Sequence, residues 1–508
     1  MSNEPRTYRF GPLERRGIVG ELRAAQVVIL ATTVALMLAA LNLAGSAGVP
    51  LALVLLLVGG VAAWYPVGGR SVGEWAPVVA RFAVARTGGA ARYRSPLPAR
   101  GHLSGARAGM PEPESLPAEL AGVRVLVVPL APGQVGVAHD PAAGTYTAAL
   151  AVRVTAFGLL DRRDQERRLA EYGVLLASLA RERNPVKRVQ WVERTVPSDA
   201  GELGRYLRDE RRLPLGSGPV SSYIELVDRA PAATQDHELV VAVQIDARKA
   251  GRDVKRFGGG DAGACRVLTR ELSHVAERLA RGGVEVLGAL PPALYARVLR
   301  TGFDPFAHPH QRGAAEAAPT PADGDDDSDG VQESEAGRSA WPVAREEGWG
   351  VCHVDGAVAR TYWIAGWPRT DVSASLLVPL LMHTTVPRAV ALVLEPVAPS
   401  AAMRRVEAAR TDDAAEAVRR QRQGFITSAR RRLQEQATAQ REAELAAGHA
   451  ELRFAGFVTV HAADHDALDT GCAEVEHAAR SCGLDLQVMY GEQATGLTFT
   501  LPLGRGLR

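Results

Sequence analysis

His461 and His465 stand four residues apart, with Asp464 and Asp466 beside them. Imidazoles and carboxylates at that spacing hold zinc when one helix presents them together. Here the pattern predicts a strand over 453–462 and a helix over 464–481, so the two histidines straddle two elements. Asp464 then reads as the helix N-cap, its carboxylate accepting from a free backbone N–H. His308-Pro309-His310 is expected to be solvated. Asp323-Gly324-Asp325-Asp326-Asp327 offers the oxygens a calcium ion needs, but it lacks the EF-hand spacing and the distal glutamate. The four cysteines, Cys265, Cys352, Cys472 and Cys482, form no Cys-x-x-Cys pair. Cys472 and Cys482 flank a predicted helix and could be neighbours; as a set, the thiols read as small buried hydrophobes in a reducing cytoplasm. No metal ligand and no cofactor is assigned.

Phosphate chemistry is checked through lysine, which occurs three times, at Lys187, Lys249 and Lys255. None stands in the glycine frame of a P-loop or precedes Ser or Thr, so no nucleotide-hydrolysing site of that kind is expected. Gly258-Gly259-Gly260 is a flexible loop and too short a signal for nucleotide binding. Gly69-Arg70-Ser71-Val72-Gly73 matches a hydrolase elbow in letters only, because such an elbow must follow a strand and open a helix. No catalytic residue emerges, and the chain is not expected to be an enzyme. The formal net charge of +2 implies no general affinity for nucleic acid. The excess of arginine over lysine reads as a coding bias.

The strongest physical signal is segregation. The chain is 23% charged, yet 24–66 holds no charged residue. Two apolar runs, 22–44 and 49–65, flank Gly45-Ser46-Ala47-Gly48 and Pro50. A helix needs about 20 apolar residues to cross a bilayer. The first run meets this; the second is a little short and ends in Trp64 and Tyr65, which suit an interface. So short a connector forces both ends to one side. Arg6, Arg9, Arg15, Arg16 and Arg23 precede the runs, and Arg70, Arg81, Arg86, Arg92, Arg94 and Arg100 follow them. Four acids, Glu4, Glu14, Glu21 and Glu74, oppose them. The positive-inside rule therefore places both ends in the cytoplasm, with the arginines near lipid headgroups. A cleaved signal peptide would show one shorter core and no second span.

The expected fold class is α+β with an N-terminal two-helix transmembrane hairpin, two cytoplasmic α+β units and a charged helical hairpin. A basic cytoplasmic N-terminus (1–21) leads into the hairpin (22–65). A Gly- and Pro-rich juxtamembrane segment (66–120) follows, with a short interfacial helix over 75–84. The first unit (121–308) has strands over 123–130, 135–139, 146–155, 186–196, 238–247 and 284–287. Its helices are expected over 161–183, 199–212, 217–228, 264–281 and 292–300. An acidic linker (309–341) has a composition that cannot bury a core and is expected to be disordered. The second unit (342–508) has strands over 350–354, 358–367, 388–397, 453–462, 484–490 and 496–503. Its helices are expected over 372–382 and 464–481. Between them a charged helical segment (401–447), poor in large apolar residues, is expected to break near Thr411 or Gly424.

Certain strings carry a resemblance. Tyr8-Arg9-Phe10-Gly11-Pro12-Leu13-Glu14-Arg15-Arg16-Gly17, the hairpin, Gly68-Gly69-Arg70-Ser71 and Trp75 resemble actinobacterial integral membrane proteins of the PrgI-like kind, encoded with conjugation-type secretion genes. The C-terminal half is similar to the non-motor N-terminal domain of VirB/TrbE-type conjugation ATPases. That similarity rests on Arg360-Thr361-Tyr362-Trp363-Ile364-Ala365-Gly366-Trp367-Pro368 and Leu376-Leu377-Val378-Pro379-Leu380-Leu381. It continues through Arg441-Glu442-Ala443-Glu444-Leu445-Ala446-Ala447-Gly448-His449, Phe454-Ala455-Gly456-Phe457 and Leu501-Pro502-Leu503-Gly504-Arg505-Gly506-Leu507.

The resemblance implies a structural subunit of the cell membrane in a type IV-like secretion or DNA-transfer machine. In the similar ATPases the motor begins about where this chain stops, so a separately encoded P-loop motor ATPase is the expected partner. Membrane lipids and other secretion-channel subunits are further expected partners, in an oligomer, without direct nucleic-acid binding. The alternative is a type VII secretion core membrane subunit, which can also begin with two membrane helices; the conjugation-type strings argue against it.

Overall fold

The structure, a computed structural model, describes residues 24–64, 72–95, 116–131, 133–154, 157–197, 214, 217–229, 235–307, 331–382, 385–423 and 429–507. It opens with two uncharged helices, α1 (Ala24–Ala44) and α2 (Val49–Trp64), joined by a 3-10 turn over Gly45–Gly48. Gln26 Nε2 donates to the Ala63 carbonyl at 3.0 Å. That bond ties the start of α1 to the end of α2, so the two run antiparallel. The Thr33 side chain of α1 seats against Gly59 of α2, where a Cβ would lie 2.2 Å from Thr33 Oγ1. A small residue at the crossing is what such close approach requires. By length and composition α1 can cross a membrane over Gln26–Leu43, a window 6% buried; the apolar stretch of α2, Val49–Val61, is shorter.

α3 (Val72–Thr87) and β1 (Arg92–Arg94) follow. The next strands are β2 (Arg124–Leu130), β3 (Gly133–Asp140) and β4 (Thr145–Val154). The β3–β4 turn forms because Asp140 Oδ1 accepts from Ala143 N and Gly144 supplies a φ of +64°. Then come α4 (Arg162–Leu179), β5 (Val186–Pro197), α5 (Gly218–Arg229), β6 (Gln235–Asp246), α6 (Gly251–Arg256), α7 (Gly260–Arg281), β7 (Val284–Ala289) and α8 (Pro292–Phe303). The later elements are β8 (Gln332–Glu333), β9 (Ala344–Glu347), β10 (Cys352–Val354), β11 (Ala357–Gly366), α9 (Val378–Met382) and β12 (Arg388–Pro396). The last are α10 (Pro399–Gln423), α11 (Ala429–Ala446), β13 (Leu452–Ala462), α12 (His465–Ser481), β14 (Asp485–Val488) and α13 (Gln493–Leu497).

The fourteen described strands form one sheet, and every pairing among them is antiparallel. Its order is β1-β9-β10-β11-β13-β12-β5-β6-β4-β3-β2-β8, with β14 on β11 and β7 on β4. No break in the hydrogen-bonded sheet separates residues 121–308 from residues 342–508. The seam is β5 on β12, in register from Arg388↔Thr195 to Leu394↔Val189. Arg388, wholly buried there, donates Nε to the Leu380 carbonyl at 2.8 Å, Nη1 to Thr195 Oγ1 at 3.0 Å, and Nη2 to the Leu381 carbonyl. Glu193 lies 3.8 Å away as its counter-charge.

Strand periodicity sorts the core onto two faces. Val241 and Val243 point to the face covered by α7, whose Leu268, Leu272, Val275 and Leu279 recur at three- and four-residue steps. Val240 and Ala242 point to the other face, under Tyr295 and Leu299 of α8. In the second half Leu468, Cys472 and Val475 of α12 cover Tyr362, Ile364, Val458 and Val460. Helices packed on an antiparallel sheet make the fold α+β, as expected.

Several expectations are corrected. α4 stops at Leu179, short of 183: Arg183 turns left-handed at φ 60°, and Pro185 blocks continuation. Residues 331–341 of the expected linker are structured, because β8 pairs with β2, and Ala340 and Trp341 are buried. Residues 309–330 lie outside the described ones, as do those of the helix expected over 199–212. Within 372–382 the helix begins only at Val378. The charged segment has no break at Thr411; α10 runs through it to Gln423.

Residues 496–503 make no strand. They form the end of α13, a 3-10 turn over Thr498–Thr500, and an extended strap. The neighbouring strands β11, β13 and β12 are already paired on both sides. The strap therefore crosses the sheet, and side chains satisfy its backbone.

Candidate functional site

Two arrangements couple distant parts of the chain. One joins the apolar helices to the sheet. α3 packs against both α1 and α2. Its Trp75, Val78 and Phe82 recur at helical spacing and meet the turns after β9 and β14. Trp75 lies 5.8 Å from Trp349 and 6.1 Å from Tyr490, between ring centres. Phe82 meets Trp349 edge-on at 5.1 Å, and Trp349 stacks on Tyr490 at 6.1 Å. Such ring pairs contribute about 1 kcal/mol each beyond burial. Gly491 is required at the centre: its φ is +68°, and a Cβ there would lie 2.7 Å from the Trp349 ring. Arg81, itself exposed, reaches the buried Glu492 at 2.5 Å.

The chain then adds β1 to the sheet beside β9, pairing Arg92↔Glu346, Tyr93↔Arg345 and Arg94↔Ala344. Arg92 donates to Glu346 at 2.9 and 2.7 Å, which holds that carboxyl below its usual range. Arg345, its side chain 4% exposed, reaches Glu119 at 3.1 Å and the Ala90 carbonyl at 3.0 Å. The segment after α2 is thus clamped to the second half of the chain by rings, a strand and a buried guanidinium.

The other arrangement is the C-terminal strap. Gln190 on β5 donates to the Phe499 carbonyl at 2.8 Å and accepts from Gly504 N at 2.7 Å. Gln244 on β6 donates to the Leu503 carbonyl at 2.9 Å. Tyr295 on α8 donates its hydroxyl to the Pro502 carbonyl at 2.8 Å. Arg188 donates to the Gly504 carbonyl at 3.0 Å, and Arg505 reaches Asp140 at 2.6 Å. Leu501 and Leu503 are buried against α8 and the sheet. Residues 501–507 therefore lie across strands of the first half and bind it to the second.

The structure parts His461 from His465. His461 lies buried near Arg194; burial chiefly, and that guanidinium, push its pKa down to about 4. Its Nε2 has no hydrogen-bond partner. His465 instead meets the ring of His353 at 4.9 Å. Asp464 is the N-cap of α12, accepting from Ala467 N at 2.8 Å. Among the described residues no three His, Cys, Asp or Glu side chains are grouped to hold a metal ion. All four cysteines are buried and free. Gly258-Gly259-Gly260 forms the left-handed turn between α6 and α7, and the helix start beside it is occupied by Asp261, which accepts from the Tyr146 hydroxyl at 2.8 Å. Gly69, Arg70 and Ser71, and Asp323 through Asp329, lie outside the described residues.

Sequence reasoning missed the partners of α3, the strap contacts and Arg388. The signals were faint: glycines flanking Trp349, single glutamines inside apolar strands, and an arginine opening an apolar strand. No known family model matches the chain, and no curated protein matches it.

Proposed function

We propose that this chain is an integral membrane structural subunit of a type IV-like, conjugation-type secretion or DNA-transfer machine. It has no catalytic role of its own and docks a separately encoded P-loop motor ATPase. α1 and α2 form a hairpin across the cytoplasmic membrane, with both termini on the cytoplasmic side. The observation that carries this is the joint: an uncharged helix pair with half-exposed leucines and valines, clamped through α3 and β1 to a large antiparallel sheet. Val28, Leu38, Leu53 and Leu57 are 63%, 58%, 64% and 65% exposed, a surface that water disfavours and lipid accepts. The conjugation-type strings and the positive flanks support the same direction and orientation.

The ATPase partner is tested by purifying the tagged full-length chain from its native host membranes in mild detergent. A P-loop ATPase recovered in defined ratio is the expected outcome. Repeated recovery without one, under conditions that keep other subunits bound, overturns the docking role.

A further inference from the structure

α3 has two unlike faces. Trp75, Val78 and Phe82 are turned to Trp349 and Tyr490. Ala76, Pro77, Val79, Ala80, Ala83 and Val84 face outward, uncharged and exposed. Val79 is 47% and Val84 69% exposed, although α1 and α2 pack against the same helix. Across the joint, Trp349 and Tyr490 keep 38% and 37% of their surface open. An apolar helix face beside part-open aromatic rings is the composition of a membrane interface, where amphipathic rings sit at headgroup depth. Continuity names the occupant: α3 abuts helices whose exposed apolar surface calls for lipid. Val72 follows Trp64 by eight residues, so α3 starts within about 30 Å of the end of α2.

Resting on the membrane-anchored function above, we propose that α3 lies in the headgroup layer with its outward face on the acyl chains. Trp349 and Tyr490 sit at the same depth. The second half of the sheet is thereby seated on the bilayer surface, and does not hang from it on a free tether. Contact with lipid fixes the orientation in which the sheet is presented to its partners.

The test uses the full chain in phosphatidylcholine vesicles whose acyl chains carry bromine at a shallow or a deep position. The tryptophan emission of the wild type minus that of Trp349→Phe isolates Trp349, and phenylalanine keeps the ring packing. Shallow bromine is expected to quench Trp349 more than deep bromine. Val84→Glu, at a side chain 69% exposed, is expected to lose that quenching while the thermal transition of the sheet stays in place. Alkaline carbonate extraction separates the two claims. A chain that resists extraction while Trp349 is quenched by neither lipid refutes the seat and leaves the anchor standing. Release by carbonate refutes both. Trp349 unquenched by bromine but shielded from iodide assigns the face to a protein and overturns the lipid seat.

Discussion

At the residue scale, the structure rests on a few side chains whose surroundings leave no substitute. Gly504 holds a φ of +66°, and a Cβ there would stand 2.7 Å from Gln244 Nε2. Gly504→Ala must strain its backbone and disturb both glutamine contacts to the strap. It is expected to lower unfolding free energy by about 2 kcal/mol in a urea titration. His461 gives a pH signature. Its imidazole is held neutral by burial, with a pKa near 4 in the fold, against about 6.5 in the unfolded chain. The unfolded state therefore binds the extra proton between those values, and stability falls as the pH drops from about 6.5 toward 4. The loss is on the order of 3 kcal/mol in total. Denaturant titrations across that window should show the slope, and His461→Gln should flatten it; an unchanged slope in the variant would place its origin elsewhere. That the two imidazoles part was legible in the sequence, since His461 falls on a strand and His465 opens the next helix; the burial of His461 beside Arg194 was not, because it depends on distant elements.

At the element scale, the seam and the joint carry the consequences. Arg388→Met strips the Leu380 and Leu381 carbonyls of their guanidinium donor, leaves Thr195 only the backbone N–H of residue 388, and takes from Glu193 its buried counter-charge. Destabilisation on the order of 3 kcal/mol is expected by chemical denaturation. Trp349→Ala removes the ring shared by Trp75, Phe82 and Tyr490. Hydrogen exchange in α3 should then accelerate while β5, β6 and β13 keep their protection; equal acceleration throughout would contradict a local joint. Arg81→Ala takes the guanidinium from the largely buried Glu492 carboxylate and should cost roughly 1–2 kcal/mol in a urea titration. Most elements were legible, since α7 and α12 repeat apolar residues at helical steps and β12 and β13 are short, mostly apolar runs. Residues 496–503 were misjudged because their alternation resembles a strand. What decides their course is that no edge is open beside them, which depends on the pairing of distant strands. β1 and β8 are too short to declare themselves, and each exists because another strand accepts it.

At the scale of the whole molecule, a division at the acidic stretch was legible from composition, whereas the shared sheet was not. The register of β5 on β12 and the reach of the strap are long-range pairings that local pattern does not encode. They give the second half of the chain two attachments: one to the first half through the sheet, and one to the apolar helices through α3 and β1. A chain built this way ties the position of the helix pair to that of the sheet. In the proposed function the pair spans the membrane with the sheet on the cytoplasmic side. The most direct measurement is labelling of single added cysteines in intact cells by a membrane-impermeant maleimide, since the four native thiols are buried. Ser46→Cys, in the turn between α1 and α2, should label from outside, and Ser95→Cys, beyond β1, should label only after lysis. Ser46→Cys silent in intact cells but reactive after lysis, or Ser95→Cys reactive from outside, would rule out that topology.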